Sequence, residues 1–238
     1  MGERKARLGE AVGVALTFMA GAQSAQAGAW PKQPGETEAI ASFALKSYNH
    51  RAEKELDLYV EHGVRRRWTA VGGVRGWSRG DNDRTFAQIG LRRQMKAPAP
   101  FVMASETRLI SGRDWNECGG WGLESRWLGG VRSKILNRDG FLDIEGAVRT
   151  FSDGCMEVRF EGSAGSVPER GKGFLLQANA EKIYGNVASN NPTMRVQAQA
   201  SAIYGITSKT KLQFGARAGF EDSVLREKAV IVGIWREF

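Results

Sequence analysis

Alternation of apolar and polar residues with period 2 recurs along almost the whole chain and places successive side chains on opposite faces of extended strands. In ELDLYVEHGV, Leu56, Leu58, Val60 and His62 alternate with Glu55, Asp57, Tyr59 and Glu61. CMEVRFEGSAG sets Met156, Val158, Phe160, Gly162 and Ala164 against Glu157, Arg159, Glu161 and Ser163. MRVQAQASAIYG, KLQFGARAGF and GFLDIEGAVRT repeat the pattern. Weaker versions lie near residues 43, 72, 89, 106, 125 and 178 and at the carboxyl end. Period-matching predicts about twelve strands of roughly 9 to 12 residues, longer than the globular mode and long enough to cross a bilayer at a tilt. No linker divides them. The expected fold class is therefore all-β, a single antiparallel up-and-down barrel.

Composition narrows the class. With 42% hydrophobic and 25% charged residues, 30 Gly and 6 Pro in 238 residues, the chain is neither disordered nor collagen-like. Apart from one short run near the start, charge interrupts every apolar stretch, which argues against spanning helices. That first run has its own meaning. Arg4, Lys5 and Arg7 precede an apolar segment at 11–20, and Ala25-Gln26-Ala27 follows as a small-residue cleavage site. Residues 1–27 read as a cleaved secretory signal, with residues 28–238 as the barrel. Removing the segment takes away three basic and two acidic residues, so the mature chain stays basic.

Export to an oxidising compartment makes Cys118 and Cys155 an even pair that could close a disulfide, two free buried thiols being the alternative. With only His50 and His62 and no Cys/His cluster, no metal and no cofactor is expected. Lys and Arg are spread through strands and turns rather than gathered in a patch, so nucleic acid is not an expected partner.

Turn chemistry sorts the connections into two alternating sets. RRR near residue 66, KAPAP and TSKT are short; SYNHRAEKE, WSRGDNDR, GRDWNECGG, YGNVASNNPT and EDSVLREK read as longer, polar loops. Short turns on one side and long loops on the other describe an outer-membrane barrel. With the amino terminus in the periplasm, both cysteines fall at the outer rim. A lipocalin-like soluble barrel would instead point the apolar face inward. Three features favour the inverted arrangement. The chain ends in Phe238 after an outward row Val230, Val232 and Ile234; both charge signs share the polar face of neighbouring strands; and Trp68, Phe101, Trp121, Tyr204 and Phe220 stand near strand ends as a girdle would.

The segments GAWPKQPGE, LDLYVEHGV, KLQFGARAGF and GIWREF resemble a group of small outer-membrane β-barrel proteins of Gram-negative bacteria, mostly without an assigned substrate. The resemblance spans nearly the whole mature chain as a pattern. It implies a transmembrane barrel in the cell outer membrane, contact with outer-membrane lipid, and recognition by the barrel-assembly machinery through the strand ending at Phe238. The position two residues before that Phe is Arg236, with Trp at 235, a departure from the usual terminal signature.

The leading functional expectation is a passive channel for small polar solutes. Its expected lumen groups are Asp57, Glu61, Arg75, Arg92, Glu106, Arg108, Glu124, Arg126, Asp143, Glu145, Arg149, Glu157, Arg159, Arg195 and Arg217. The mixed signs suggest little net selectivity, with clustered Arg favouring anions. The alternative is that these charges neutralise one another and plug the barrel, leaving a structural or accessory role in a secretion or surface-polysaccharide system. For that role GRDWNECGGW is the most recognition-like loop. Catalysis is not expected: Ser47, His50, Glu53 and Glu55 lie close in sequence but have the composition of any polar loop, and nucleophilic chemistry needs a positioned base.

Overall fold

The computed structural model describes residues 29–79, 82–113, 118–185 and 194–238. The proposed signal segment and Gly28 lie outside the described residues, as do the tips of WSRGDNDR, GRDWNECGG and YGNVASNNPT.

Twelve strands follow one another in the chain: β1 (Thr37–Tyr48), β2 (Arg51–Arg65), β3 (Trp68–Arg79), β4 (Asn82–Met95), β5 (Phe101–Arg113), β6 (Gly119–Ile135), β7 (Arg138–Phe151), β8 (Met156–Ser166), β9 (Gly171–Tyr184), β10 (Met194–Gly205), β11 (Thr210–Glu221) and β12 (Val224–Glu237). Each pairs antiparallel with its sequence neighbours, and β1 pairs with β12 to close the barrel. Closure leaves no strand edge unpaired. The closing seam runs from Glu38 opposite Glu237 to Tyr48 opposite Glu227.

Five strands have the expected length and seven exceed it, reaching 17 residues in β6. For β2, β6, β7 and β12 the reason lies in the turns. Asn49-His50, Leu136-Asn137 and Asp222-Ser223 each connect two strands with both residues at positive φ, between 47° and 68°. This left-handed pair matches the twist of the flanking strands, so pairing continues up to the turn. SYNHRAEKE and EDSVLREK are therefore strand ends around tight turns rather than loops, and the SKILNRDG connection is equally short. Short connections occur at both rims.

The barrel faces are sorted. Ile144, Phe160 and Val230 expose 65%, 64% and 64% of their surface to the outside, while Glu55, Asp57, Glu61, Glu157 and Arg159 on the opposite parity are buried. The apolar face is the outer one. The inward face is not polar throughout, however. Ile40, Tyr59, Val71, Phe141, Leu175, Ile203 and Trp235 form an apolar layer across the interior near the termini. Trp77, Phe86, Ile110, Cys118, Phe151, Cys155 and Ile183 form another near the opposite rim. Cys118 and Cys155 are joined in a disulfide, with Cα atoms 5.6 Å apart, and tie the start of β6 to the entry of β8.

Candidate functional site: the barrel interior

Between the two apolar layers the interior is densely charged on one wall, while the other interleaves amides with a few charges, Glu181, Arg195 and Arg217. The charged wall is written in the strand register. Asp57 stands opposite Arg75, Arg92 opposite Glu106, Arg108 opposite Glu124, Glu124 opposite Arg149, Arg149 opposite Glu157 and Arg159 opposite Glu181. Opposite side chains on one face lie within reach of each other, so these pairs become ion pairs.

One ladder runs from β2 to β9. Arg92 donates to Glu106 at 2.7 Å and lies 2.8 Å from Glu61, while its Nη2 donates to the Tyr59 hydroxyl at 3.0 Å. Arg108 donates to the other oxygen of Glu106. Glu124 receives Arg149 and lies 3.6 Å from both Arg108 and Arg126. Arg126 bonds Glu145, and Arg159 bridges Glu161 at 2.8 Å and Glu181 at 2.7 Å. A second cluster crosses the interior: Arg217 on β11 donates to Glu227 at 2.6 Å and reaches Glu55 on β2 at 3.1 Å. Glu55 also takes Lys46 at 3.1 Å, and Glu227 takes Arg195. Arg75 pairs with Asp57 at 2.8 Å.

The opposite wall, on β9 to β11, carries amides. Gln199 donates to Gln177 at 3.0 Å and to the Ser201 hydroxyl at 3.2 Å; Gln213 donates to Ser201 at 2.8 Å; Asn179 donates to Gln197 at 3.1 Å; and the Trp235 indole donates to Gln213 at 3.2 Å. Where the two walls meet, a polar cavity of about 30 Å³ is bounded by Asp143, Glu145, Glu161, Ser163, Gln177, Asn179, Gln197, Gln199 and Arg217. That is room enough for water.

The segment before β1 enters the barrel at the termini end. Ala29 is buried against Ala104 and Leu128, and Trp30 packs edge-on to Phe141 at 6.0 Å. Two glycines make room for it. A Cβ on Gly63 would fall 1.9 Å from the Gln33 carbonyl oxygen, and one on Gly130 would fall 2.6 Å from Trp30 Cη2. Lys32 pairs with buried Glu38. Burial pulls the Lys32 ammonium down, but the Glu38 and Glu61 carboxylates outweigh that and hold it above its ordinary value.

All fifteen residues offered from sequence as lumen groups lie on inward-facing positions of strands β2 to β11. Fourteen enter the ion pairs just described and Asp143 does not. Missing from that set were Glu38, Lys46, Glu55, Glu161, Glu181 and Glu227, together with the amides. Parity carried the signal for them, since Glu55, Glu161, Gln197 and Gln199 share the face of residues that were picked out. The Ser47, His50, Glu53 and Glu55 grouping is dispersed: Ser47 is exposed, His50 sits in a turn, and Glu53 pairs inward with Lys46 at 3.3 Å. Among the described residues no three His, Cys, Asp or Glu side chains converge as a metal site.

Neither a protein-family model nor a curated protein sequence matches this chain. Solved structures do match its fold. The COG4313 outer membrane channel from Pseudomonas putida F1 superposes with a TM-score of 0.61 at 12% identity, covering 91% of this chain and 100% of that one. The NanC porin aligns with a TM-score of 0.61 at 12% identity over 82% of this chain and 98% of its own. The KdgM porin gives 0.53 at 12% identity, over 84% and 99%. At such identities the likeness is one of fold: a closed twelve-strand antiparallel barrel.

Proposed function

We propose that this chain is an outer-membrane β-barrel that rests nearly closed and passes small polar solutes or ions along its amide-lined wall. The observation that carries this reading is the division of the interior. A barrel that needed only filling could do so with apolar side chains, which stabilise as well as or better than buried ion pairs. Here a continuous row of Gln, Asn and Ser lies beside a polar cavity, an arrangement that offers successive donors and acceptors to a hydrated solute. The apolar exterior supports a lipid environment, since contiguous exposed apolar surface of this extent is not tolerated in water. The fold it shares with proteins described as channels and porins is consistent with both. Residues 1–27 would then direct export, and the strand ending at Phe238 would be read by the assembly machinery.

A second reading, a structural barrel without transport, is favoured by one specific observation: an apolar layer crosses the interior near each rim. The two readings separate in planar bilayers. A resting channel gated by the amino-terminal segment conducts weakly as wild type, and Trp30→Ala, which withdraws the ring packed on Phe141, raises the open fraction. A folded barrel that conducts in neither form supports the structural role and rejects transport.

A further inference from the structure

Asp143 stands apart from the other inward carboxylates. Glu38, Glu55, Asp57, Glu61, Glu106, Glu124, Glu145, Glu157, Glu161, Glu181 and Glu227 are each in ion-pair contact with Lys or Arg. Asp143 is 3% exposed, and among the described residues neither of its oxygens has a hydrogen-bond partner. The charges whose fields act on it are Glu145, on the same face of β7, and Arg92 of β4. A buried carboxylate in this state is strongly disfavoured unless a proton neutralises it or a bound partner compensates it.

The surroundings say what kind of partner fits. Asp143 opens onto the polar cavity, together with Ser163 and Gln177 at its own level of the barrel. Asn179, one level along, has an Oδ1 that is also buried without a partner among the described residues. The Gln177 and Gln197 carbonyl oxygens on the same wall accept only one hydrogen bond each from neighbouring amides among the contacts described, and each has a second lone pair. These are hard oxygen donors; Glu145, Glu161 and Arg217, which line the same cavity, are each held in ion pairs, so Asp143 is the carboxylate there that no ion pair compensates among the described residues. Such a set suits a small monovalent cation with part of its water shell, whereas divalent sites gather more carboxylates. We propose that Asp143 and Asn179 form an interior site for a sodium- or potassium-sized cation. If the barrel conducts, this site biases it toward cations, opposite to the anion preference that its many arginines would suggest.

Binding is tested without relying on transport. The full mature chain, folded in detergent, is titrated with potassium or sodium chloride against N-methyl-glucamine chloride at constant ionic strength, with the thermal unfolding midpoint as the readout. The expected result is a saturable rise in midpoint for the wild type. Asp143→Asn abolishes the rise while keeping the fold, and Asn179→Ala moves half-saturation upward by about tenfold, as loss of an orienting group does in other ion sites. An identical cation dependence in wild type and Asp143→Asn, or none in the folded wild type, overturns the site. Should Asp143→Asn fail to fold, Asn179→Ala decides alone, its half-saturation either shifting or not. In bilayers, Asp143→Asn should bring the cation-to-anion permeability ratio toward unity. A barrel that never conducts removes the transport reading and leaves the titration result standing.

Discussion

Glu124→Gln tests whether the interior is a dry, packed network. The Glu124 side chain has no exposed surface; one oxygen receives Arg149 and the other faces Arg108 and Arg126 at 3.6 Å each. The neutral amide keeps the shape, removes the charge that three guanidiniums share, and brings an N–H group toward other donors. Breaking a buried pair by removing one partner costs about 3–5 kcal/mol because the surviving charges stay buried. At about 1.4 kcal/mol per factor of ten, this predicts a 10²- to 10³-fold fall in the folding equilibrium constant, or somewhat more. The assay is urea unfolding of the purified barrel in detergent, followed by tryptophan fluorescence and by the heat-dependent gel shift. The linear extrapolations of the two proteins are compared at equal slope. A loss below about 1 kcal/mol, the size measured for solvated surface pairs, would refute the reasoning and show that water screens these charges. An open aqueous lumen would produce that smaller value.

Further outcomes follow from the same structure. Replacing Cys118 and Cys155 by Ser removes a link across 37 residues and should cost about 2–4 kcal/mol, read as a lower urea midpoint for the reduced or substituted protein. Ile144→Arg places a charge on the outer face and should cost about 2–4 kcal/mol in lipid if this position lies near the midplane, and much less in a thin detergent shell. Gly130→Ala puts a methyl group 2.6 Å from both Trp30 Cη2 and Asp143 Oδ1, so it should displace the amino-terminal segment and raise bilayer conductance as Trp30→Ala does. An unchanged conductance in both variants would dissociate that segment from any gate.

Strand existence and facing were legible because period-2 patterning is a direct consequence of strand geometry and each face meets one environment. Glu55, Asp57 and Glu61 fell on the opposite face from Leu56, Leu58 and Val60 for that reason alone. Loop lengths were not legible. Asn49-His50 and Asp222-Ser223 lack the glycine that usually marks a left-handed pair, so polar strand ends such as Arg51-Ala52-Glu53 looked like loop. The apolar layers were missed for a different reason. Ile203 and Trp235 lie on the inward parity, but an apolar residue near a strand end reads equally well as lipid-facing until the register of all twelve strands is known. Asp143 was selected as a charge like the others. Its isolation emerges only in three dimensions, because the residues opposite it are Gly130 and Ser163 rather than cations.

The outward placement of the apolar face is tested most directly on β10, whose exposed positions 198 and 200 carry small Ala side chains. Spin labels at Ala198, Gln199 and Ala200, introduced one at a time in the barrel reconstituted into lipid, report collision rates with oxygen and with a water-soluble nickel chelate. Labels at 198 and 200 should be oxygen-accessible and shielded from nickel, and the label at 199 should be protected from oxygen. High nickel accessibility at 198 and 200 would contradict the lipid-facing assignment and, with it, the membrane barrel.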